Sequence, residues 1–290
     1  MEEPQLQEQG PTLRSIGDSM KGKIVLVTGA NRGIGKAFVE SFLEHGASKV
    51  YAASRSIESV KQAFGEDRIC SIEDSKGDRS TIDGGFVVPI RLDMSDPELI
   101  RGVATVATDV DIVINNAGVL TRTGPLEGES SIENLRHEME VNVYGFMRLA
   151  QAFAPVLEQR NGKGLFVQIN SVASMRCVAP EVTTYSASKA ASFSVTQALR
   201  LELQARGVHV ISIHPGPILT DMISDLPALA AVAPPASIVA ESLINSITTT
   251  SPGNLPPFLI FPDNKAKGLG KVYQSFANIV IEKGNAYGEE

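Results

Sequence analysis

The sequence has few of the residues that build disulfide frameworks, metal centres or membrane spans. Its 290 residues include two cysteines, four histidines and no tryptophan. Two thiols are too few for a disulfide framework, and the scattered histidines show no metal-ligand spacing, so we expect reduced thiols and no catalytic metal. No run approaches the roughly 20 apolar residues of a membrane span, and residues 1–20 are polar without an apolar signal core. We therefore expect a soluble, cytoplasmic protein with no membrane partner.

The sequence also lacks a basic excess. It carries 33 acidic against 26 basic residues, a formal net charge of -7, and no basic stripe that would follow a phosphate backbone. This charge distribution argues against a nucleic-acid partner. What is present is ordinary globular composition, 43% apolar and 20% charged, in a chain long enough to bury a full core.

Short β-branched runs alternate with helical patterns along most of the chain. Strands are predicted at residues 24–27, 50–53, 85–90, 111–114, 165–169, 208–213 and 258–261, with helices between them, the first two at 36–44 and 57–64. This alternation is typical of right-handed βαβ units, so we predict an α/β fold with a doubly wound parallel sheet, Rossmann-like, in a single domain over residues 21–264.

Three segments lie outside this alternating pattern. Residues 1–20 have the composition of a flexible tail. Residues 65–84 collect charged, serine and glycine residues without periodicity, which indicates a solvated surface excursion. Residues 265–290 predict a C-terminal tail that is helical from about 265 to 282.

A glycine loop, Thr28-Gly-Ala-Asn-Arg-Gly-Ile-Gly35, lies between the first predicted strand and the first predicted helix. Gly29 allows a tight turn, Gly33 lets the backbone approach a pyrophosphate, and Gly35 permits close helix packing. The free N–H groups at the helix start favour an anion there. The loop predicts a dinucleotide site; the alternative is an ordinary strand-to-helix turn.

The end of the second predicted strand indicates which dinucleotide binds. NAD-binding folds place a carboxylate there for the ribose 2′-OH, but Ala52-Ala-Ser-Arg55 has none and ends in an arginine. Arg55 and Arg32 together would clamp a 2′-phosphate, because guanidinium bonds phosphate as a bidentate fork. We therefore predict NADPH (NADP+) as the cofactor; the alternative is two solvated surface arginines.

Tyr185 is followed four residues later by Lys189. An ammonium beside a phenol favours the phenolate, so the pair predicts a proton donor whose pKa is lowered from the usual ~10. Such a donor suits carbonyl reduction, in which negative charge grows on oxygen as hydride reaches carbon. A serine such as Ser171 could also suggest a hydrolase. The nucleophile turn of such enzymes has a glycine two residues before the serine and another two residues after it, and Ser171 has neither, so a hydrolase is not indicated.

Five separated motifs over about residues 22–240 resemble those of the one-domain short-chain dehydrogenases/reductases. The glycine loop resembles their TGxxxGxG loop, Asn115-Asn-Ala-Gly118 their NNAG turn, and Tyr185-Ser-Ala-Ser-Lys189 their YxxxK pair. Leu92-Asp-Met94 resembles their adenine-contacting segment, and Pro215-Gly216 with Thr220 their loop over the nicotinamide. Ser171 follows a strand as the catalytic serine of the family does.

The resemblance implies a catalytic set of Asn142, Ser171, Tyr185 and Lys189. Ser171 would orient the substrate oxygen, Tyr185 would act as acid/base, Lys189 would hold the nicotinamide ribose, and Asn142 would relay protons through a water. The implied cofactor-binding set is Gly29, Asn31, Arg32, Gly33, Ile34, Gly35, Ser54, Arg55, Asp93, Met94, Asn116, Ala117, Gly118, Tyr185, Lys189, Pro215, Gly216, Ile218 and Thr220.

Three of these assignments have local alternatives. Asp93 precedes Ser95-Asp-Pro-Glu98, a capping-box pattern, and could merely support a helix start. Asn142 could be a satisfied polar group in a helix. Ser174 is a second candidate for the catalytic serine, because Ser171 lies fourteen positions before Tyr185, one residue beyond the usual spacing of the family.

The substrate segment and the end of the chain complete the predictions. Residues 218–233 are apolar, and the resemblance places them over the substrate, which favours an apolar ketone or aldehyde; alternatively they only pack a short helix on the sheet. Phe261-Pro-Asp263 departs from the Asp-Gly-Gly turn of tetrameric members, so a tetramer is in doubt and a homodimer is possible. The alternatives to carbonyl reduction are a non-catalytic dinucleotide sensor or scaffold and an alcohol dehydrogenase working in the oxidative direction.

Overall fold

The computed structural model describes residues 13–16, 19–76, 84–250 and 254–277. Within them, one parallel sheet has the strand order β3-β2-β1-β4-β5-β6-β7. Its strands are β1 (Ile24–Thr28), β2 (Lys49–Ser54), β3 (Phe86–Arg91), β4 (Ile112–Asn115), β5 (Gly164–Ile169), β6 (Val208–Ile213) and β7 (Leu259–Ile260).

Helices connect the strands. They are α1 (Gly33–Glu44), α2 (Ile57–Phe64), α3 (Pro97–Val106), α4 (Glu129–Met139), α5 (Phe146–Glu158), α6 (Thr183–Ala205), α7 (Pro227–Ala230), α8 (Ser237–Thr248) and α9 (Asn264–Ala277). A π-helical segment, Glu140–Gly145, joins α4 to α5. No helix of the described residues has both the length and the apolarity needed to cross a membrane.

The strands are apolar because both faces of the sheet are covered. Along β1, Val25 and Val27 pack into one hydrophobic cluster while Leu26, between them, packs into a second on the opposite face. The same alternation holds in β4, where Ile112 lies in the first cluster and Val113 in the second. A parallel sheet buried on two sides requires such continuous apolar runs. The predicted single-domain, doubly wound α/β fold is therefore confirmed.

The packed part of the chain begins earlier than residue 21. Ile16 and Met20 are buried in the cluster that covers β1, and the backbone N–H of Arg14 donates to the carbonyl oxygen of Gly162 at 2.8 Å. The prediction of a flexible tail over residues 1–20 is thus wrong for this part, because two apolar side chains cover an edge of the core. Residues 1–12, 17 and 18 lie outside the described residues.

The other two predicted segments are partly described. In the surface excursion, Cys70 is buried and its N–H donates to the carbonyl oxygen of Val87, so this stretch packs along β3. Residues 77–83 lie outside the description. The predicted C-terminal helix corresponds to α9, and the predicted helical residues after Ala277 lie outside the description.

Candidate active site

The strand order reverses between β1 and β4, and a crevice opens there at the carboxyl ends of the strands. Such a reversal is where doubly wound sheets bind ligands, because the loops after neighbouring strands diverge to opposite faces. The glycine loop follows β1, and the Asn-Asn-Ala-Gly turn follows β4, so the sheet brings these two distant segments together.

The glycines of the loop have different structural reasons. Gly29 and Gly33 have φ values of 64° and 53°, which L side chains rarely adopt. A Cβ at Gly35 would collide with the carbonyl oxygen of Gly29, so the close approach of α1 requires glycine. No side chain caps the first turn of α1, and that turn holds no acidic residue. This uncapped helix start, beside the glycines of the loop, fits the pyrophosphate of a dinucleotide.

The turn after β4 is bonded to the turn after β1. The hydroxyl oxygen of Thr28 accepts the N–H groups of Asn116 at 3.0 Å and Ala117 at 2.9 Å. The side-chain amide of Asn116 donates to the carbonyl oxygen of Thr28 at 2.9 Å. These bonds hold the walls of the crevice at a fixed separation, and they assign Asn116 a structural task in addition to its predicted place beside the cofactor.

The two arginines predicted to bind the 2′-phosphate, Arg32 and Arg55, have different surroundings. The buried Ser54 hydroxyl donates to the carbonyl oxygen of Ser56 at 2.7 Å, which shapes the turn after β2 and leaves Arg55 exposed. The Arg32 guanidinium pairs with Asp221 at 3.1 Å, and both of these side chains are about two-thirds exposed. The two-arginine clamp therefore stays a prediction.

Asp93 is not the cap of α3. Asp96 has that role, since its carboxylate accepts the N–H groups of Glu98 and Leu99. Hydrogen bonds from the hydroxyl and N–H of Ser95 lower the pKa of Asp93, and the charge of Arg55 lowers it further. Asp93 thus lies at the end of β3 within electrostatic range of Arg55, on the side where the adenine segment is predicted. Met94, beside it, is buried.

Tyr185 and Lys189 lie one turn apart on α6 and face the cavity above the ends of β4 and β5. The Lys189 ammonium donates to the carbonyl oxygen of Ile169 at 2.8 Å and lies 5.8 Å from the centroid of the Tyr185 ring. The Ser171 hydroxyl hydrogen-bonds the Tyr185 side chain. The structure therefore brings three of the four predicted catalytic side chains to one place.

The acidities of this pair differ from the prediction. Burial raises the pKa of Tyr185 to about 12; the hydrogen bond with Ser171 opposes this shift, and the nearby Glu138 carboxyl adds to it. Burial lowers the pKa of Lys189 to about 8. The prediction of a lowered pKa for Tyr185 is therefore wrong for the protein itself, because desolvation disfavours the phenolate more than its neighbours favour it.

The two candidate serines are separated by their hydrogen bonds. Ser174 donates to the carbonyl oxygen of Ser171 and lies 3.0 Å from Nδ1 of the buried His214, below the surface of the cavity. Ser171 lines the cavity beside Tyr185. The geometry therefore favours Ser171 as the substrate-orienting serine. Burial lowers the pKa of His214 to about 3, so this imidazole is a poor base for a serine nucleophile.

Asn142 lies in the π-helical segment and is fully engaged with the backbone opposite it. Its Oδ1 accepts the N–H of Val119, and its Nδ2 donates to the carbonyl oxygen of Val119 and to the Ser188 hydroxyl, each at 2.9 Å. A Cβ added to Gly118 would lie 3.1 Å from Oδ1 of Asn142 and 3.5 Å from Nζ of Lys189. The side chains of Asn142 and Lys189 thus lie close to each other beside Gly118, and the water relay stays a prediction.

The loop predicted to cover the nicotinamide is anchored by a residue that the sequence analysis missed. Asp263 accepts the N–H of Gly216 at 2.7 Å through Oδ2, and its Oδ1 accepts the N–H groups of Lys265 and Ala266, which caps α9. An aspartate directly before a helical pattern is a capping signal that could have revealed it. The Thr220 methyl lies 3.1 Å from the position of a Cβ on Gly33, so this loop closes against the glycine loop.

A cavity of about 210 Å³ lies between these elements. The apolar segment 218–233 supplies part of its lining, including Met222, Ile223, Leu226 and Leu229. The predicted lid therefore faces the cavity, and its place over the substrate stays a prediction. Arg122, also missed by the sequence analysis, reaches the lid: its Nε lies 3.0 Å from Oδ2 of Asp225, and its Nη2 donates to the carbonyl oxygen of Met222. In the part of the chain that is described, no cluster of metal-ligating side chains accompanies the cavity.

Comparisons with known proteins give a matching family model and several similar proteins. A family model described as short chain dehydrogenase matches residues 23–229. A fatty acyl-CoA reductase of Mycobacterium tuberculosis is 29% identical over 273 residues, which cover 92% of this chain and 86% of the relative. A solved short chain dehydrogenase of Burkholderia cenocepacia, in complex with NADP, is 29% identical at a TM-score of 0.71 and matches 91% of this chain and 99% of its own.

A second solved structure has the same fold with a different cofactor. The short chain dehydrogenase/reductase of Burkholderia phymatum, in complex with NAD, gives a TM-score of 0.71 at 22% identity and matches 90% of this chain and 96% of its own. This likeness concerns the fold alone.

Proposed function

The chain belongs to the short-chain dehydrogenase family, and from this premise we propose that it is an NADPH-dependent oxidoreductase that reduces an apolar ketone or aldehyde to an alcohol. One observation carries the proposal: Ser171, Tyr185 and Lys189 meet at the edge of an apolar cavity beside the glycine loop. A dinucleotide in the crevice and a carbonyl compound in the cavity would share that edge.

The proton chemistry follows from the environment of Tyr185. Because its pKa is about 12, the phenol keeps its proton at neutral pH, as a proton donor must. When bound, NADPH supplies the hydride. The hydroxyls of Ser171 and Tyr185 would bind the substrate oxygen, and Tyr185 would transfer its proton as charge develops there. The Lys189 ammonium would stabilise the resulting phenolate, and a water flanked by Asn142 and Lys189 would return a proton to it.

The same site would serve both directions, because reduction and alcohol oxidation pass through one transition state. In reduction Tyr185 begins as the phenol, which is the form that its buried environment favours. The sensor alternative needs neither a phenol nor an ammonium at this edge. A catalytic role in hydride transfer therefore accounts for more of the geometry than the sensor does.

The preference for NADPH rests on the residues after β2. The Ser54 hydroxyl donates to the carbonyl oxygen of Ser56, and this turn contains no carboxylate that could accept the ribose 2′-OH. Arg55 is exposed there, and its positive charge contributes to the lowered pKa of Asp93. NADP in the Burkholderia cenocepacia relative supports this choice.

The apolar substrate is supported by the chemistry of the cavity lining. Arg122 is the one charged side chain of the lining besides Lys189 among the described residues, and Asp225 neutralises it. Apart from Thr220, the lid residues that line the cavity are aliphatic or methionine, which favours a substrate without charge near the carbonyl. The fatty acyl-CoA reductase relative is consistent with an aliphatic substrate. A cytoplasmic location and a homodimer stay predictions.

The test is oxidation of NADPH and NADH by the purified protein against straight-chain aldehydes, methyl ketones and bulky apolar ketones, with cofactor binding titrated by fluorescence. We expect turnover with a preference for NADPH. Replacing Tyr185 by Phe should abolish turnover and leave the NADPH dissociation constant within about twofold, because the phenol gives the proton and its ring is retained. Unchanged turnover in that variant would remove Tyr185 from the mechanism, and tight binding without turnover on any carbonyl would favour the sensor.

A further inference from the structure

The segment 119–123, directly after the Asn-Asn-Ala-Gly turn, lies between α4 and the substrate cavity. It is extended, and Thr123 pairs with Val182 as an isolated parallel bridge. In an extended chain, successive side chains point to opposite sides. This segment follows that rule: Val119 packs toward the core beneath α4, while Leu120 and Arg122 line the cavity.

Three polar side chains of the α4 region bond this segment at alternate residues. Asn142 is bonded to the N–H and the carbonyl oxygen of Val119. Glu138 accepts the N–H of Thr121 through Oε1 at 2.6 Å, and Asn134 donates to the hydroxyl oxygen of Thr123 at 2.6 Å. We call Asn134, Glu138 and Asn142 the α4 ladder.

The spacing of the ladder explains why it fits. Its members recur every four residues, a helical rise of about 6 Å. Their partners recur every two residues of extended chain, about 6.6 Å. The two repeats nearly match, so each rung meets the next alternate residue, and the residues in between are left facing the cavity.

Glu138 is an acidic residue in a fully buried position. Its side chain is 0% exposed, and burial raises the pKa of its carboxyl. A carboxyl in such a place is costly unless hydrogen bonds compensate. The N–H of Thr121 compensates Oε1 at 2.6 Å, whereas Oε2 of Glu138 and the hydroxyl of Thr184 have no hydrogen-bond partner among the described residues. The position thus holds a hydrogen-bond acceptor at the cost of desolvation, which indicates that holding Thr121 in place matters.

The residues presented by the segment form the outer wall of the cavity and hold its lid. Arg122 bonds Asp225 and the carbonyl oxygen of Met222, both in the lid segment. A displacement of Thr121 would therefore move the wall at Leu120 and the attachment of the lid at Arg122 together.

We infer that Glu138 and Asn134 are positioning residues that fix the segment 119–123, and that Leu120 and Arg122, held by it, determine how long an apolar substrate the cavity accepts. The inference concerning substrates rests on the proposed function. The positions of the three rungs do not.

The test compares hexanal with decanal as substrates, both with NADPH. Glu138→Met removes the acceptor and leaves the Thr121 N–H without that partner, so we expect the ratio of KM for decanal to KM for hexanal to rise about tenfold. The comparison is made within each variant because the Glu138 carboxyl also acts on the pKa of Tyr185 and thus on the turnover of both aldehydes. Glu138→Gln retains an acceptor oxygen of the same reach and should keep the wild-type KM ratio. Glu133→Met, at an exposed position of the same helix, is the matched control.

Two further measurements keep the inference falsifiable. Thr123→Val removes the acceptor for Asn134 with little change of shape, and it should raise the KM ratio of decanal to hexanal in the same direction if Glu138→Met does not fold. Amide hydrogen exchange of a peptide covering 119–123 should be at least about tenfold faster in Glu138→Met or Thr123→Val than in Glu133→Met.

The outcomes separate the inference from the proposed function. If neither aldehyde is turned over by the wild type, the proposed function fails for these substrates, and the exchange data alone decide the ladder. Wild-type exchange in the folded ladder variants overturns the ladder. An unchanged KM ratio with accelerated exchange overturns the role of the segment in substrate length. If the KM ratio changes as much in Glu138→Gln as in Glu138→Met, the segment requires the negative charge of Glu138 rather than its acceptor oxygen. That result also overturns the inference.

Discussion

Replacing Lys189 with methionine should remove a pH dependence of stability that the wild-type protein has between pH 8 and 10.5. Lys189 is 4% exposed, and burial lowers its pKa from 10.5 to about 8. A pKa lowered by burial means that the folded protein pays to keep the ammonium charged. Methionine fills a similar volume without a charge, so that cost should be absent in the variant.

The magnitude follows from the two pKa values. The drop from 10.5 to about 8 corresponds to roughly 3 kcal/mol, at about 1.4 kcal/mol for each pH unit. Below pH 8 Lys189 is charged in both the folded and unfolded chains, and the full cost is present. Between 8 and 10.5 the unfolded chain binds more protons, so the free energy of unfolding rises with pH; above 10.5 both forms are neutral and the cost is gone.

The assay is urea unfolding of the wild type and Lys189→Met from about pH 7 to about pH 11. The free energy of unfolding of the wild type, minus that of the variant, should rise by roughly 3 kcal/mol across this range. Loss of the bond to the Ile169 carbonyl adds a nearly constant offset of about 2 kcal/mol, which does not alter the slope. Lys163→Met, at an exposed position, is the control and should show no slope. A flat difference for Lys189→Met would refute the claim of a costly buried ammonium.

Four other substitutions test separate parts of the site. Ser171→Ala should lower kcat about a hundredfold or more, whereas Ser174→Ala should keep kcat within a few fold and lower the free energy of unfolding by about 1–2 kcal/mol; the reverse pattern in kinetics and urea unfolding would make Ser174 the donor. Arg55→Asp should raise the dissociation constant of NADPH at least about tenfold more than that of NADH, because a carboxylate repels the 2′-phosphate, and equal weakening in a fluorescence titration would make Arg55 structural. Gly35→Ala should weaken both dinucleotides about equally and lower the melting temperature, because its Cβ collides with the Gly29 carbonyl; wild-type binding and melting would contradict that packing.

Much of this protein could be derived from the sequence because the signals are local. The alternation of apolar runs and helical patterns is a property of adjacent residues, and it predicted the sheet and its covering helices. The glycine loop and the residues 185–189 are short motifs whose spacing depends on one turn of backbone. The resemblance then supplied roles for residues such as Ser171 and Asn142, whose local chemistry alone left alternatives.

Contacts between distant segments could not be derived in this way. Ile16 and Met20 appeared to belong to a polar tail, and only the folded chain brings them onto the core. Asp263 and Gly216 are 47 residues apart, and Arg122 and Asp225 are 103 apart, so no pattern along the chain connects either pair.

The acidities of the site were likewise decided by the tertiary structure. From the sequence, the ammonium of Lys189 should lower the pKa of Tyr185; in the folded protein, burial raises it to about 12. Spacing along a helix determines which groups are neighbours, but the free energy of a charge depends on how much water remains around it. The sequence by itself therefore determined the fold and which groups could react, while the packing of segments far apart in the chain determined their protonation states and the shape of the cavity that they face.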